Sequence, residues 1–139
     1  PRVANALGIQ GQEGIGAFLE GEVELSVYSV RAAGAEIRVV PGYGARENST
    51  ELLAKSKVGE LLEGLSYGDG RSIIVLDLPP VLSGDDAISI LPQVDCALMI
   101  VGEGVSTKSD VTDALALMSA TPLLGVVMNR SRYKARTYY

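Results

Sequence analysis

A chain of 139 residues, 47% hydrophobic and 21% charged, has the material for about one domain with a buried core. No apolar run approaches the roughly 18 residues that span a bilayer, no signal peptide is visible, and direct membrane insertion is not expected. Histidine is absent, which removes Ser-His and Cys-His nucleophile pairs and most zinc sites, and leaves chemistry to carboxylates, hydroxyls, cations and backbone amides.

In chain order, residues 3–7 predict a helical turn that ends at Gly8, and Gly14 to Leu19 a second short helix. Val23, Leu25 and Val27 alternate with polar residues, Ala32 to Ala35 read as a turn, and residues 37–40 as a strand. Asn48 with Glu51 three residues later marks a helix start, and Val58, Leu61, Leu62 and Leu65 share one helical face. IIVL (73–76) reads as a short buried strand. Ser83 and Gly84 introduce a short helix that Pro92 ends or kinks, and ALMIV (97–101) is a second buried run. Thr107 caps a helix with Asp110 in its first turn, and Val111, Ala114, Leu115 and Met118 form its apolar stripe. Pro122 closes that helix, and LLGVVM (123–128) is a third buried run.

Continuously apolar strands separated by helices give the fold class: α/β, with a mostly parallel sheet and helices on both faces. Ligands in such sheets bind beyond the carboxyl ends of the strands, where Asp77, Gly102-Glu103-Gly104 and Asn129-Arg130 all fall. Cys96 is the single cysteine, which excludes an internal disulfide and fits a reducing compartment; inside an apolar run it is expected to be a buried thiol. The net charge of −5 is uneven: Arg130, Arg132, Lys134 and Arg136 make residues 130–139 +4, so residues 1–129 carry −9. An acidic body argues against a nucleic-acid partner. The sequence divides into a body, 1–130, and a basic, tyrosine-rich tail, 131–139, expected to be flexible as termini usually are.

Asp77 ends an apolar run and is succeeded by Leu78, Pro79 and Pro80. It is either a turn residue that caps the next segment or a Walker B carboxylate that holds Mg²⁺ through water beside nucleotide phosphates. The prolines stiffen the loop and suit the second role.

DLPPVLSGDDA (77–87), NSTELLAKS (48–56), GVVMNR (125–130) and a terminal cluster of tyrosines, in this order, resemble the bacterial tyrosine kinases of capsule and exopolysaccharide export. That family has a P-loop fold related to the MinD and ParA ATPases, and the likeness covers nearly the whole chain. It implies that Asp77 is the catalytic and metal-positioning Walker B aspartate. It also implies that Asn129 hydrogen-bonds the adenine, with Arg130 beside it, although a strand-end turn or helix cap would also use an asparagine. Glu51, Leu52 and Leu53 match a segment whose role is structural or catalytic, and Asp86 matches an aspartate expected to cap a helix. Tyr133, Tyr138 and Tyr139, three of the six tyrosines, become phosphate acceptors on this reading.

Leu78 stands where the family usually has a hydroxyl residue, and no G-x-x-x-x-G-K-[ST] occurs in the sequence. The resemblance therefore implies the C-terminal, N-terminally truncated part of a kinase domain. ATP and Mg²⁺ are cofactors of the intact relative, and none is expected to bind this chain tightly. The implied partners are a membrane activator of the polysaccharide-copolymerase type and further copies of the protein, at the inner, cytoplasmic face of the membrane. The alternatives are a non-enzymatic degenerate subunit and a MinD/ParA-type regulatory ATPase fragment, which the tyrosine-rich end disfavours.

Overall fold

The structure, a computed structural model, describes residues 2–10, 14–32, 34–42, 49–53, 56–66 and 72–132. They fall into two compact units, Pro1–Ile74 and Val75–Tyr139.

The first unit begins with two short helices, α1 (Arg2–Ala6) and α2 (Ile15–Glu20). After α1 the chain turns back at once, and Ile9 N–H donates to Ala4 O at 2.9 Å, burying both residues. Helix α2 stops because Gly21 takes a left-handed conformation (φ 83°) that returns its N–H to Phe18 O, while Glu22 N–H reaches Ala17 O. Lys57 Nζ donates to Phe18 O at 2.9 Å and to Leu19 O at 3.3 Å, and lies 5.0 Å from the centre of the Phe18 ring. A cation thus satisfies the orphan carbonyls at the negative end of α2.

Strands β1 (Tyr28–Ala32) and β2 (Ala35–Val39) form an antiparallel hairpin with Val30 opposite Ile37. The alternation at Val23, Leu25 and Val27 lies ahead of this hairpin rather than in it. Helices α3 (Ser49–Leu53) and α4 (Ser56–Ser66) come next, with Leu52 and Val58 buried. Leu61, Leu62 and Leu65 are half-buried on the face that their spacing predicts. Asn48 lies outside the described residues.

The second unit contains α5 (Asp86–Ile90), a 3-10 turn over Leu91–Gln93 that carries Pro92, β3 (Ala97–Gly102), α6 (Lys108–Leu117) and β4 (Leu123–Asn129). β3 and β4 pair in parallel, from Ala97↔Leu123 to Gly102↔Asn129, with an irregularity between Ala97 and Leu98. Met99 and Val101 face a core completed by Leu91, Ala114 and Met118, against which Val81, Ala97 and Val111 pack. The buried Thr121 hydroxyl donates to Leu91 O at 3.1 Å, tying the turn after α5 to the approach to β4. The chain is thus α/β, with helices and a parallel pair, as the apolar runs required. Leu98, Ile100 and Val127, on the face away from that core, are 51%, 56% and 42% exposed.

Three local expectations are corrected. IIVL is not a buried strand: residues 72–80 carry no ladder, and Ile73 and Val75 are 89% and 84% exposed. Ile74, Leu76 and Leu78 are half-buried between exposed neighbours. Apolar composition selects side chains for burial, but a strand forms only beside a partner, and none pairs with this run among the described residues. Cys96 is exposed, because it precedes β3 at the bend that enters the strand, where the inward positions have not begun. Asp86 is the first residue inside α5, and Asp85 occupies its N-cap position without a side-chain cap bond.

Helix α6 has the full capping box. Thr107 Oγ1 accepts from Asp110 N–H at 3.1 Å, and the Asp110 carboxylate accepts from Thr107 N–H at 2.7 Å. The bond from the Thr107 backbone, helped by the Thr107 side chain, holds the Asp110 carboxyl below the usual carboxylate range. A depressed folded pKa stabilises above the unfolded value, and that stabilisation is lost as pH falls through the folded one. Thr107→Ala is therefore expected to cost about 1 kcal/mol at neutral pH, read from amide exchange within α6. The difference between the wild type and Asp110→Asn is expected to shrink as the solution is acidified through the carboxylate range. A difference independent of pH would remove the charged cap from the account.

Candidate functional site

Parallel pairing brings the carboxyl ends of β3 and β4 to one edge. Beyond the last pair, Gly102↔Asn129, Glu103 N–H donates to Asn129 O at 2.9 Å and extends the contact between the two chains. The chain after β3 then folds tightly toward α6. Val105 and Ser106 N–H both reach Gly102 O, and Gly102 N–H donates to Ser106 Oγ at 3.2 Å. Gly104, at φ 71°, makes the bend. A Cβ at Gly102 would stand 3.3 Å from Val105 Cβ, so glycine also suits the close approach there.

After β4, Asn129 Oδ1 accepts from Arg130 N–H at 2.8 Å, and Arg130 is left-handed at φ 58°, alone among the described non-glycine residues. Arg132 N–H donates to Glu103 Oε2 at 2.7 Å. Between the two strand ends opens a cleft of about 440 Å³ lined by Glu103, Gly104, Val105, Arg130 and Arg132. Its lining includes an exposed valine, two arginines and a glutamate. Guanidinium planes and an apolar side chain suit the face of a heteroaromatic ring, and the neighbouring Asn129 amide can donate to a ring nitrogen. A second cavity, about 430 Å³, is lined by Leu115, Met118, Ser119, Ala120, Thr121, Pro122 and Leu123, where the chain enters β4 rather than leaves it.

Of the expected site residues, Asn129 and Arg130 are thus together at the strand-end cleft. Asp77 lies in the exposed segment before the turn at Pro80, whose carbonyl accepts from Ser83 N–H and Ser83 Oγ, each at 2.9 Å. Its carboxylate has no hydrogen-bond or ion-pair partner among the described residues. Mg²⁺ requires a near-octahedral set of oxygens. Among the described residues no group of three or more His, Cys, Asp or Glu side chains gathers to hold a metal, so Asp77 would serve the ion as a single carboxylate, with water and nucleotide phosphates completing the set. Tyr133, Tyr138 and Tyr139 lie outside the described residues. Val105 and Arg132 were not singled out by sequence reasoning; the signal available was their position just after two strands that run in parallel.

No protein-family model matches the chain. Among curated proteins, it is 26% identical over 135 residues to the tyrosine-protein kinase Wzc of Salmonella typhi, a match covering 95% of the chain and 18% of that protein. It is 23% identical over 137 residues to the tyrosine-protein kinase Etk of Escherichia coli K12, covering 97% and 19%. Against the tyrosine-protein kinase CpsD of Streptococcus pneumoniae serotype 4 the figures are 27% over 128 residues, 90% and 55%. The chain therefore spans between about a fifth and about half of the length of these relatives. Among solved structures, the VpsO kinase domain superposes with a TM-score of 0.80 at 28% identity, covering 95% of this chain and 66% of that one. The kinase domain of Escherichia coli ETK gives 0.78 at 21%, covering 99% and 55%, a likeness of fold.

The conformation of Arg130 gives a direct check on the strand-end turn. Arg130→Gly is expected to raise, and Arg130→Val to lower, the unfolding free energy of the second unit, each by about 1 kcal/mol, because only glycine occupies the left-handed region without a Cβ clash. Denaturant unfolding of the two variants measures it, and equal stabilities would mean that the turn is not held as described.

Proposed function

We propose that this chain, a relative of the bacterial tyrosine kinases, is part of an exopolysaccharide-biosynthesis tyrosine autokinase and contributes its nucleotide-base edge and its acceptor tail. The observation that carries the reading is the cleft at the joint carboxyl ends of β3 and β4, beside Asn129 and lined by Arg130. In the intact kinase the γ-phosphoryl group of ATP, with Mg²⁺, passes to a tyrosine hydroxyl and ADP departs. In that setting Asn129 and Arg130 receive the adenine, and Asp77 supplies the Walker B carboxylate. The basic segment 131–139 presents Tyr133, Tyr138 and Tyr139 to a neighbouring copy. The proposed assembly is a set of such copies at the inner face of the cell membrane, with a membrane activator of the polysaccharide-copolymerase class. Alone, this chain is without kinase activity and without tight affinity for ATP·Mg²⁺, since no glycine-rich loop with its lysine and hydroxyl occurs in the sequence.

Adenosine monophosphate titrated into the isotope-labelled chain is expected to shift the amide resonances of residues 102–105 and 129–132 with millimolar affinity. Shifts confined to residues 115–123 would place the ligand in the other cavity and end the base assignment. Calorimetry with ATP and Mg²⁺ is expected to show no micromolar binding, which would correspond to about −8 kcal/mol.

Mixing the chain with an active kinase of the family and ATP tests the tail. Mass spectrometry is expected to find phosphate on Tyr133, Tyr138 or Tyr139. Each phosphate adds about −1.5 to −2 charges, so two or three offset the +4 of residues 130–139. Phosphate on Tyr28, Tyr43 or Tyr67 with none on the tail, or no phosphate at all, would refute the acceptor assignment.

A further inference from the structure

Glu103 is bonded twice to the chain that leaves β4. Its N–H donates to Asn129 O at 2.9 Å, and its Oε2 accepts from Arg132 N–H at 2.7 Å. Between these two points sits Arg130 in its left-handed conformation, with its N–H bonded to Asn129 Oδ1. A non-glycine residue in that region costs about 1–2 kcal/mol and persists only where its surroundings over-determine it. One residue of the opposite loop pins the strained turn at both ends. The same residue lines the cleft with Arg130 and Arg132, and its carboxylate offsets one of their two positive charges.

We propose that Glu103 is the positioning residue of the cleft: by holding Asn129 O and Arg132 N–H, it keeps Arg130 left-handed and both guanidinium groups arranged around a purine base. The inference rests on the reading of this cleft as the base site. A backbone bond alone cannot do this, because it fixes only the Asn129 end; the side-chain bond reaches across 29 residues of sequence and fixes the other. Without it, Arg130 is free to relax to an ordinary φ, which turns the chain that carries Arg132 away from the loop after β3.

The test compares the wild-type chain with Glu103→Ala, Glu103→Gln and Glu103→Asp. Adenosine monophosphate affinity is read from amide shifts, and exchange of the Arg132 amide from the same spectra. Glu103→Ala is expected to weaken binding about five- to tenfold, the loss of one hydrogen bond, and to speed Arg132 exchange. Glu103→Gln keeps an acceptor at the same reach and is expected to stay within about twofold of wild type in both readouts. Glu103→Asp keeps the charge but falls short by one methylene; it is expected to behave as Glu103→Ala and carries the comparison if the alanine variant does not fold. A residue that only stabilises the turn would change Arg132 exchange and leave adenosine monophosphate affinity unmoved. If the wild type binds at residues 102–105 and 129–132 but Glu103→Ala and Glu103→Asp bind equally well, the positioning role is overturned while the base site stands. If the wild type shows no shifts there, the base reading fails and the proposal falls with it.

Discussion

The parallel pairing of β3 with β4 is the constraint that shapes the second unit. A strand that must run beside its predecessor in the same direction cannot be joined by a tight turn. The chain has to travel back along the sheet, and it does so as α6 between Gly102 and Leu123. That return lays Ala114 and Met118 over Met99 and Val101, so the crossover that the topology demands also makes the core. Pro122 O accepts from Ala97 N–H at 2.9 Å at the start of the ladder, and Asn129 O accepts from Glu103 N–H at its end. Two loops with no sequence relation to each other are thereby delivered to one edge, and the cleft is a by-product of this register.

The sheet is written for more cover than the described residues supply. β3 and β4 are apolar on both faces, the composition of strands enclosed on two sides. Met99 and Val101 of β3 meet α6, while Leu98, Ile100, Val126, Val127 and Met128 stay substantially exposed. The run at 73–76 shows the same imbalance more strongly. The match to the VpsO kinase domain covers 95% of this chain and 66% of that one, so the VpsO domain has chain beyond the matched part.

Local chemistry made much of the fold legible. Thr107 with Asp110 announced a capped helix, and the capping box is present. Runs of apolar residues bounded by Pro122 and by Gly102-Glu103-Gly104 located β3 and β4, and the strand-end rule put Asn129 and Arg130 at the site edge. The failures were in features that depend on a partner. IIVL has strand composition but no neighbour with which to form a ladder, and Cys96 lies one position ahead of the strand whose inward residues it was expected to join. The roles of Glu103 and Arg132 were hidden for a similar reason. A carboxylate after one strand and a backbone N–H after another become a pair only once the register sets them side by side. The resemblance supplied a reason to read Asn129 as more than a turn residue, which spacing could not, and it did so without the geometry of the cleft.

That geometry also bears on which part of a nucleotide the proposed base site would take. A free helix N-terminus holds phosphate because its first amides point outward without partners. At the entry to α6, Thr107 and Asp110 and the loop before them already use several of their amides internally. Thr107 N–H is given to Asp110, Asp110 N–H to Thr107, Ser106 and Val105 N–H to Gly102 O, and Gly102 N–H to Ser106 Oγ. The Asp110 carboxylate, held in its charged form by the bond from Thr107, adds a negative charge at that point. An incoming phosphate would have to displace internal bonds and meet a like charge. The loop after β3 thus commits these donors within the protein, while its exposed valine lines the cleft with Arg130 and Arg132. On the proposed reading, such an edge would take the uncharged end of a nucleotide and leave the phosphates to other parts of a kinase domain, in line with a sequence that carries no glycine-rich loop with its lysine.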